Sequence, residues 1–213
     1  TMLDLFTEPV LTAGVGLLGG IALGLAARYG RFCTLGAIED VFYGGSSLRL
    51  RMWGIAIGIA IMGTFALSAT GLLDLDTTLY LNRTWNPAAS IFGGLLFGYG
   101  MALSGNCGYG ALARLGGGDL RSFVIVMVMG ISAYITLGGP LAPLRLLLFG
   151  EAFAPATTPS IAHLGARVFG FGAETLGFLI GALILIGTLL NREMRHSYSA
   201  VFWAIIVGLA IVS

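Results

Sequence analysis

The run "LSGNCGYGALARLGGGDLR", residues 103–121, sets a cysteine among glycines at the foot of one of the most apolar segments in the chain. Lipid offers stranded N–H and C=O groups no hydrogen-bond partner. Non-helical backbone at membrane depth therefore survives only where protein buries it or a polar cavity lines it. The glycines of "SGNCGYG" and Asn106 permit turn conformations and leave backbone N–H groups uncovered. The run predicts a break between two half-helices, the second near Tyr109 to Leu115, with its N-terminus aimed at the break. Helix N-termini carry partial positive charge and unused donors, so the break is a candidate anion site.

The composition supports a membrane reading. Of 213 residues 57% are hydrophobic and 10% charged, against roughly 25% charged in a soluble domain. Glycine, at 34 residues, recurs four apart at Gly16, Gly20 and Gly24, Gly54 and Gly58, Gly94 and Gly98, and Gly177 and Gly181. Such seams let helix backbones approach closely in lipid. The formal net charge of +1 gives no basic excess to suggest nucleic acid. Two cysteines and two histidines, far apart, make neither a disulfide framework nor a zinc spacing, and no cofactor is implied.

A span needs about 20 mostly apolar residues. The candidates are Val10 to Ala27, Met52 to Leu73, Ala88 to Ser104, Phe123 to Gly139 and Arg167 to Leu190, with a run from Ala200 reaching Ser213 in fourteen residues. That last run is short for a span, which implies continuation of the natural protein. "TMLDLFTEP" lacks the basic region of a cleaved signal, so the first run reads as a retained span. "PLAPLRLLLFGEAF", residues 140–153, reads as an interfacial or re-entrant helix. The expected fold is an all-α polytopic membrane protein of five to six spans in one domain, residues 1–213.

With the N-terminus outside, Arg28, Arg31, Arg49, Arg51, Arg114, Arg121, Arg192 and Arg195 fall inside, and Arg83, Arg145 and Arg167 outside. This arginine bias sets the expected orientation. All basic residues are arginine. Arg28, Arg31, Arg49 and Arg51 read mainly as topology determinants. Glu174 is a candidate intramembrane carboxylate, serving as a proton relay or a partner of Arg167, or else marks the outer interface. His163 and His196 fall in predicted loops.

Comparison of the chain with itself matches Cys33 to Cys107. C-T-L-G-A aligns with C-G-Y-G-A, Gly44-Gly45 with Gly116-Gly117, and Leu48-Arg49 with Leu120-Arg121. The expected repeat is span, C-x-x-G-A, short helix, glycine turn, Leu-Arg, span, over about residues 10–73 and 88–139.

Cysteine adds a polarisable sulfur and a weak S–H donor, and an apolar setting favours the neutral thiol, which does not repel an anion. Donor backbone plus thiol suits a sulfur-bearing oxyanion better than chloride or phosphate, and two such places suggest a path. Arg114 and Arg31 could draw an anion to the cytoplasmic mouth. The alternative is that each cysteine is a small packing residue.

"RFCTLGAIED" and "GGLLFGYGMALSGNCGYGALARLGGGDLRS", residues 93–122, resemble the YeeE/YedE family of bacterial inner-membrane proteins that take up thiosulfate or related sulfur compounds. The resemblance covers about residues 10–140. It implies a transporter, not an enzyme, with short membrane-embedded helices and cysteines along a narrow path in the bacterial inner membrane, where thiols pass thiosulfate by transient hydrogen bonds. Carried over, the substrate-binding residues are Cys33 and Cys107 with Gly105, Asn106, Gly108 and Gly110, to which Arg114 is added from the reading above. The implied protein partner is a small cytoplasmic TusA-like sulfur carrier. Members usually continue into a second related half with a further cysteine, so the resemblance implies a fragment or a split form.

Other readings stay open. A selenium compound or sulfite could be the cargo. A membrane thiol oxidoreductase would need a paired or low-pKa cysteine, and C-x-x-C is missing. An intramembrane serine protease at Ser104-Gly105 would need a histidine in a span.

Overall fold

Several helices start where the sequence supplies a side-chain cap or a proline. The computed structural model describes residues 2–71, 73, 86–149 and 172–213. In it, Asn86 Oδ1 accepts from Ala89 N at 3.2 Å and Pro87 opens the helix, satisfying one stranded donor and removing another. Asp119 begins the next long helix the same way, its carboxylate accepting from Arg121 N and from the Ser122 hydroxyl, each at 3.0 Å. Asn191 caps a third, accepting from Glu193 N at 2.9 Å.

The described chain is helical, as its composition requires, and separates into two compact units. The first, Thr1–Ala66 with Gly177–Ser213, holds α1 (Met2–Tyr29), α2 (Thr34–Glu39), a π-helical turn (Asp40–Gly44) and most of α3 (Leu48–Ala69). It also holds most of α8 (Ala173–Leu189), with α9 (Arg192–His196) and α10 (Tyr198–Val212). The second, Leu67–Leu176, holds α4 (Pro87–Ser104), α5 (Gly108–Gly116), α6 (Leu120–Leu137) and α7 (Ala142–Phe149).

Among the described residues four segments are long and apolar enough to cross a membrane: Val10–Gly44, Leu48–Ala69, Pro87–Gly116 and Leu120–Leu137. Glu174–Leu189 and Tyr198–Val212 are shorter apolar helices. The chain is thus an all-α, multi-pass membrane protein. The start expected for the fifth span, Arg167, lies outside the described residues, as do Arg83, His163 and the 150–153 end of the expected interfacial helix. Its described part, α7, has eight residues, about 12 Å at 1.5 Å per residue and far short of a bilayer.

Glycine decides the packing of the first unit. A side chain at Gly58 would begin 3.1 Å from the carbonyl oxygen of Gly181, and one at Gly181 would begin 3.1 Å from that of Gly58. α3 and α8 therefore meet backbone to backbone, the approach that small residues allow. Thr188 fills the space at Gly54, and the Phe65 ring that at Gly177. Gly208 brings α10 to α3, where its Cβ would stand 2.8 Å from Ile59 Cβ. α1 packs along α10, with the Tyr29 and Trp203 rings stacked 6.1 Å apart. The other two expected seams differ: at Gly16, Gly20, Gly24, Gly94 and Gly98 no described atom lies within 4 Å of a would-be side chain.

Polar bonds hold the ends of α3 and α9. Ser46 Oγ donates to Glu193 at 3.1 Å, Arg51 donates to the Gly187 carbonyl at 3.3 Å, and Met194 is fully buried beneath. His196 lies in the last turn of α9 rather than in a loop, where a basic residue suits the helix dipole. Glu174 is an exposed residue of the first turn of α8, accepting from the Ser68 hydroxyl at 3.5 Å. That location is a helix end, where a carboxylate complements the dipole. In the second unit α5 packs on α6, and α4 has no buried residue.

The α3–α8 contact has a direct test. Gly181→Leu should lower stability against denaturing detergent by about 1–3 kcal/mol, the cost of overpacking a close contact. Gly187→Leu, on the same helix with nothing within 4 Å, should leave it unchanged. Equal losses would contradict the packing described.

Candidate functional site

The chain breaks at Cys107 as its glycines lead one to expect. α4 ends on Gly105, which takes the left-handed conformation at φ 62° that glycine adopts without cost. The Ser104 hydroxyl donates to the Asn106 carbonyl at 3.0 Å across the break. Cys107, at φ −87° and ψ 158°, is the N-cap of α5: its Sγ accepts from Gly110 N at 3.2 Å and its carbonyl from Ala111 N at 2.8 Å.

Gly110 is the centre of the cluster. A Cβ there would stand 2.5 Å from Asn106 Oδ1 and 3.4 Å from Cys107 Sγ, so the carboxamide and the thiol flank the same backbone atom. Gly108 admits a second sulfur, with the Met129 Sδ of α6 3.1 Å from its would-be Cβ. Asn106 and Cys107 are 6% and 3% exposed, and Ala111 is fully buried beneath them. Asn106 Nδ2 has no hydrogen-bond partner among the described residues. An unsatisfied buried donor costs about 1–3 kcal/mol, so this amide stands ready to donate to whatever enters.

Gly105, Asn106, Cys107, Gly108 and Gly110 thus come together in one turn. Arg114 does not join them. It lies exposed in the last turn of α5, about 10 Å along the helix axis from the thiol, where its charge suits the C-terminal dipole and helps hold the nearby Asp119 carboxyl low.

Cys33 lies in the first unit at the N-cap position of α2, with extended backbone at φ −151° and ψ 131°, and unlike Cys107 its side chain makes no capping bond to the helix. Arg31, two residues earlier, takes the left-handed conformation at φ 50°, the position that Gly105 holds relative to Cys107. Phe32 is buried with its ring 4.5 Å from that of Trp53. Both cysteines are thiols, Cys33 partly exposed and Cys107 buried. Among the described residues no group of acidic, histidine and cysteine side chains could hold a metal ion.

Met129 and the contacts of Arg49 described below were absent from the sequence reading. Met129 stands 22 residues from Cys107 in an unbroken apolar run, and no local signal marks it. Arg49 recurs in the internal repeat, as Leu-Arg, but a charge at a span end equally suits a topology determinant.

A family model described as "Sulphur transport" matches residues 29–208. The thiosulfate transporter TsuA of Spirochaeta thermophila is 26% identical over 211 residues, covering 93% of this chain and 62% of the relative. TsuA of Escherichia coli is 32% identical over 109 residues, 51% of this chain and 30% of the relative. The probable transporter YedE of Escherichia coli is 24% identical over 155 residues, 73% of this chain and 34% of the relative. The chain spans less than two thirds of the length of these relatives.

Two outcomes follow from the geometry. Gly110→Ala should leave α5 as stable or more so, since alanine gains about 0.5–1 kcal/mol in a helix. The added methyl displaces the Asn106 carboxamide, so the alkylation rate of Cys107 should change while thermal unfolding does not worsen. An unchanged rate would contradict the arrangement.

The second concerns Asp119, in the turn outside α6. Its carboxyl is held below the ordinary 3.8, first by the Ser122 hydroxyl, then by Arg121 N–H, with Arg114 adding. A lowered folded-state pKa gives stability that is complete above the ordinary value and lost as pH falls through the lowered one. The stability gap between wild type and Asp119→Ala should therefore be open at neutral pH and close below pH 3.8. A gap independent of pH would contradict this.

Proposed function

The chain belongs to the sulphur transport (YeeE/YedE) family, and on that premise we propose that it forms part of a membrane path for thiosulfate, with Cys107 as a substrate station. The observation that carries this reading is the buried Asn106 amide, whose N–H has no partner among the described residues, beside a thiol at the N-terminus of a nine-residue helix. Thiosulfate presents two chemistries at once. Its oxygens accept from Asn106 Nδ2 and take the favourable end of the α5 dipole. Its terminal sulfur meets polarisable sulfur, Cys107 Sγ with Met129 Sδ nearby, in a site that adds no negative charge of its own. Two relatives named as thiosulfate transporters support that cargo over sulfite or a selenium compound.

In this reading Cys33 is a second station, and the segments about 10–73 and 88–139 are repeats of one unit. Each carries a long helix, a left-handed residue two before the cysteine, a short helix with the cysteine at its N-cap position, a left-handed glycine and another long helix. The role is transport and not catalysis. The membrane is the bacterial inner membrane with the N-terminus outside, as the arginine distribution favours. A TusA-like cytoplasmic carrier receives the sulfur compound.

The test is growth of an uptake-deficient bacterium on thiosulfate as sole sulfur source, supplied with the full-length parent gene at matched membrane expression. Cys107→Ala should abolish growth on thiosulfate and spare growth on cysteine. Asn106→Leu should raise the thiosulfate needed by roughly tenfold or more, the loss of one hydrogen bond to a charged group. Normal growth of the Cys107→Ala, Cys33→Ala double variant would return both thiols to packing.

A further inference from the structure

Arg49 does more than fix topology. Its Nε lies 3.1 Å from Asp40 Oδ2, closing the glycine turn that joins α2 to α3. One arm of the guanidinium, NH1, fills the space where a side chain at Gly36 would begin. That same point is 3.7 Å from Cys33 Cβ, so the guanidinium and the cysteine flank the backbone of Gly36. The glycine of C-T-L-G-A is therefore where the arginine seats.

We propose that Arg49 is a positioning residue for the Cys33 thiol, acting through its seat on Gly36 and its ion pair with Asp40. α2 has six residues, far too few to hold a helix by itself, so neighbouring elements must fix where its first residue stands. Arg49 joins α2, the π-helical turn and the start of α3 at one point. The pair is partly exposed, at 28% and 35%, and such pairs contribute little to global stability. Its effect is therefore geometric, and its removal should not unfold the protein.

The second unit carries different charges at the matching places. Arg114 stands seven residues after its cysteine where the first unit has Asp40, and Arg121 stands where the first unit has Arg49. The Arg114 charge is close enough to help hold the Asp119 carboxyl low.

The functional part of this inference rests on Cys33 being a station; the geometric part does not. The full-length protein is labelled with a membrane-impermeant methanethiosulfonate reagent in a background where Cys33 is the reactive thiol, other cysteines being serine. Asp40→Asn, Arg49→Gln and Gly36→Ala should each change the Cys33 reaction rate by about two- to fivefold, the size of a pair of this exposure. Gly36→Ala with Arg49→Gln should change it no more than the larger single effect, because the methyl already evicts the guanidinium. Arg49→Lys keeps the topological charge but not the planar seat, so it should insert normally and still shift the rate. Gly36→Ala, which favours the helix, guards against loss by misfolding.

Additive effects, or rates equal to wild type in all variants, would overturn the proposal. Thiosulfate uptake separates the two claims. Shifted labelling with normal uptake in Cys33→Ala leaves the positioning in place and sinks the Cys33 station. Lost uptake in Cys33→Ala with unshifted labelling in the other variants does the reverse.

Discussion

A chain that leaves the helix inside an apolar segment must find partners for every N–H and C=O it strands, because lipid supplies none. The break at Cys107 meets that demand almost completely. The cysteine sulfur takes Gly110 N, its carbonyl takes Ala111 N, the Asn106 carbonyl receives the Ser104 hydroxyl, and Gly105 turns the chain without strain. Among the described residues the buried side-chain donor Asn106 Nδ2 is left without a partner. A buried donor left unpaired beside the thiol suits a guest that accepts a hydrogen bond.

Glycine serves two separate ends in this protein. At Gly58, Gly181 and Gly208 its missing side chain is filled by another helix. At Gly36 and Gly110 the space goes instead to a functional group, the Arg49 guanidinium in one case and the Asn106 carboxamide in the other. Alanine would suit the helix better at both of the latter positions, so local helix preference yields there to the placement of a polar group beside a cysteine.

Much of this could be read in the sequence. The break at "SGNCGYG" was legible because glycine density in an apolar run contradicts a continuous helix, and the gathering of Gly105, Asn106, Gly108 and Gly110 about Cys107 followed from adjacency. The α3–α8 seam was legible from spacing four. Spacing does not say which seams find a partner, and Gly16, Gly20, Gly24, Gly94 and Gly98 carry the same pattern with none among the described residues. Arg114 is near Cys107 in sequence, yet a helix that rises 1.5 Å per residue sets it about 10 Å along the axis from the thiol. Met129 and the seat of Arg49 depend on how α6 and α3 are rotated about their axes, which sequence periodicity in an all-round apolar helix does not encode.

The central claim is that an anion with a soft sulfur end occupies the turn at Cys107. Its most direct measurement is the rate at which Cys107 is alkylated in the purified full-length protein, with Cys33 and any further cysteine replaced by serine, as thiosulfate is titrated in. The account predicts that thiosulfate slows alkylation saturably, that sulfate at equal concentration and ionic strength does so far less, and that Asn106→Leu weakens the protection. Alkylation indifferent to thiosulfate, or slowed equally by sulfate, would contradict it.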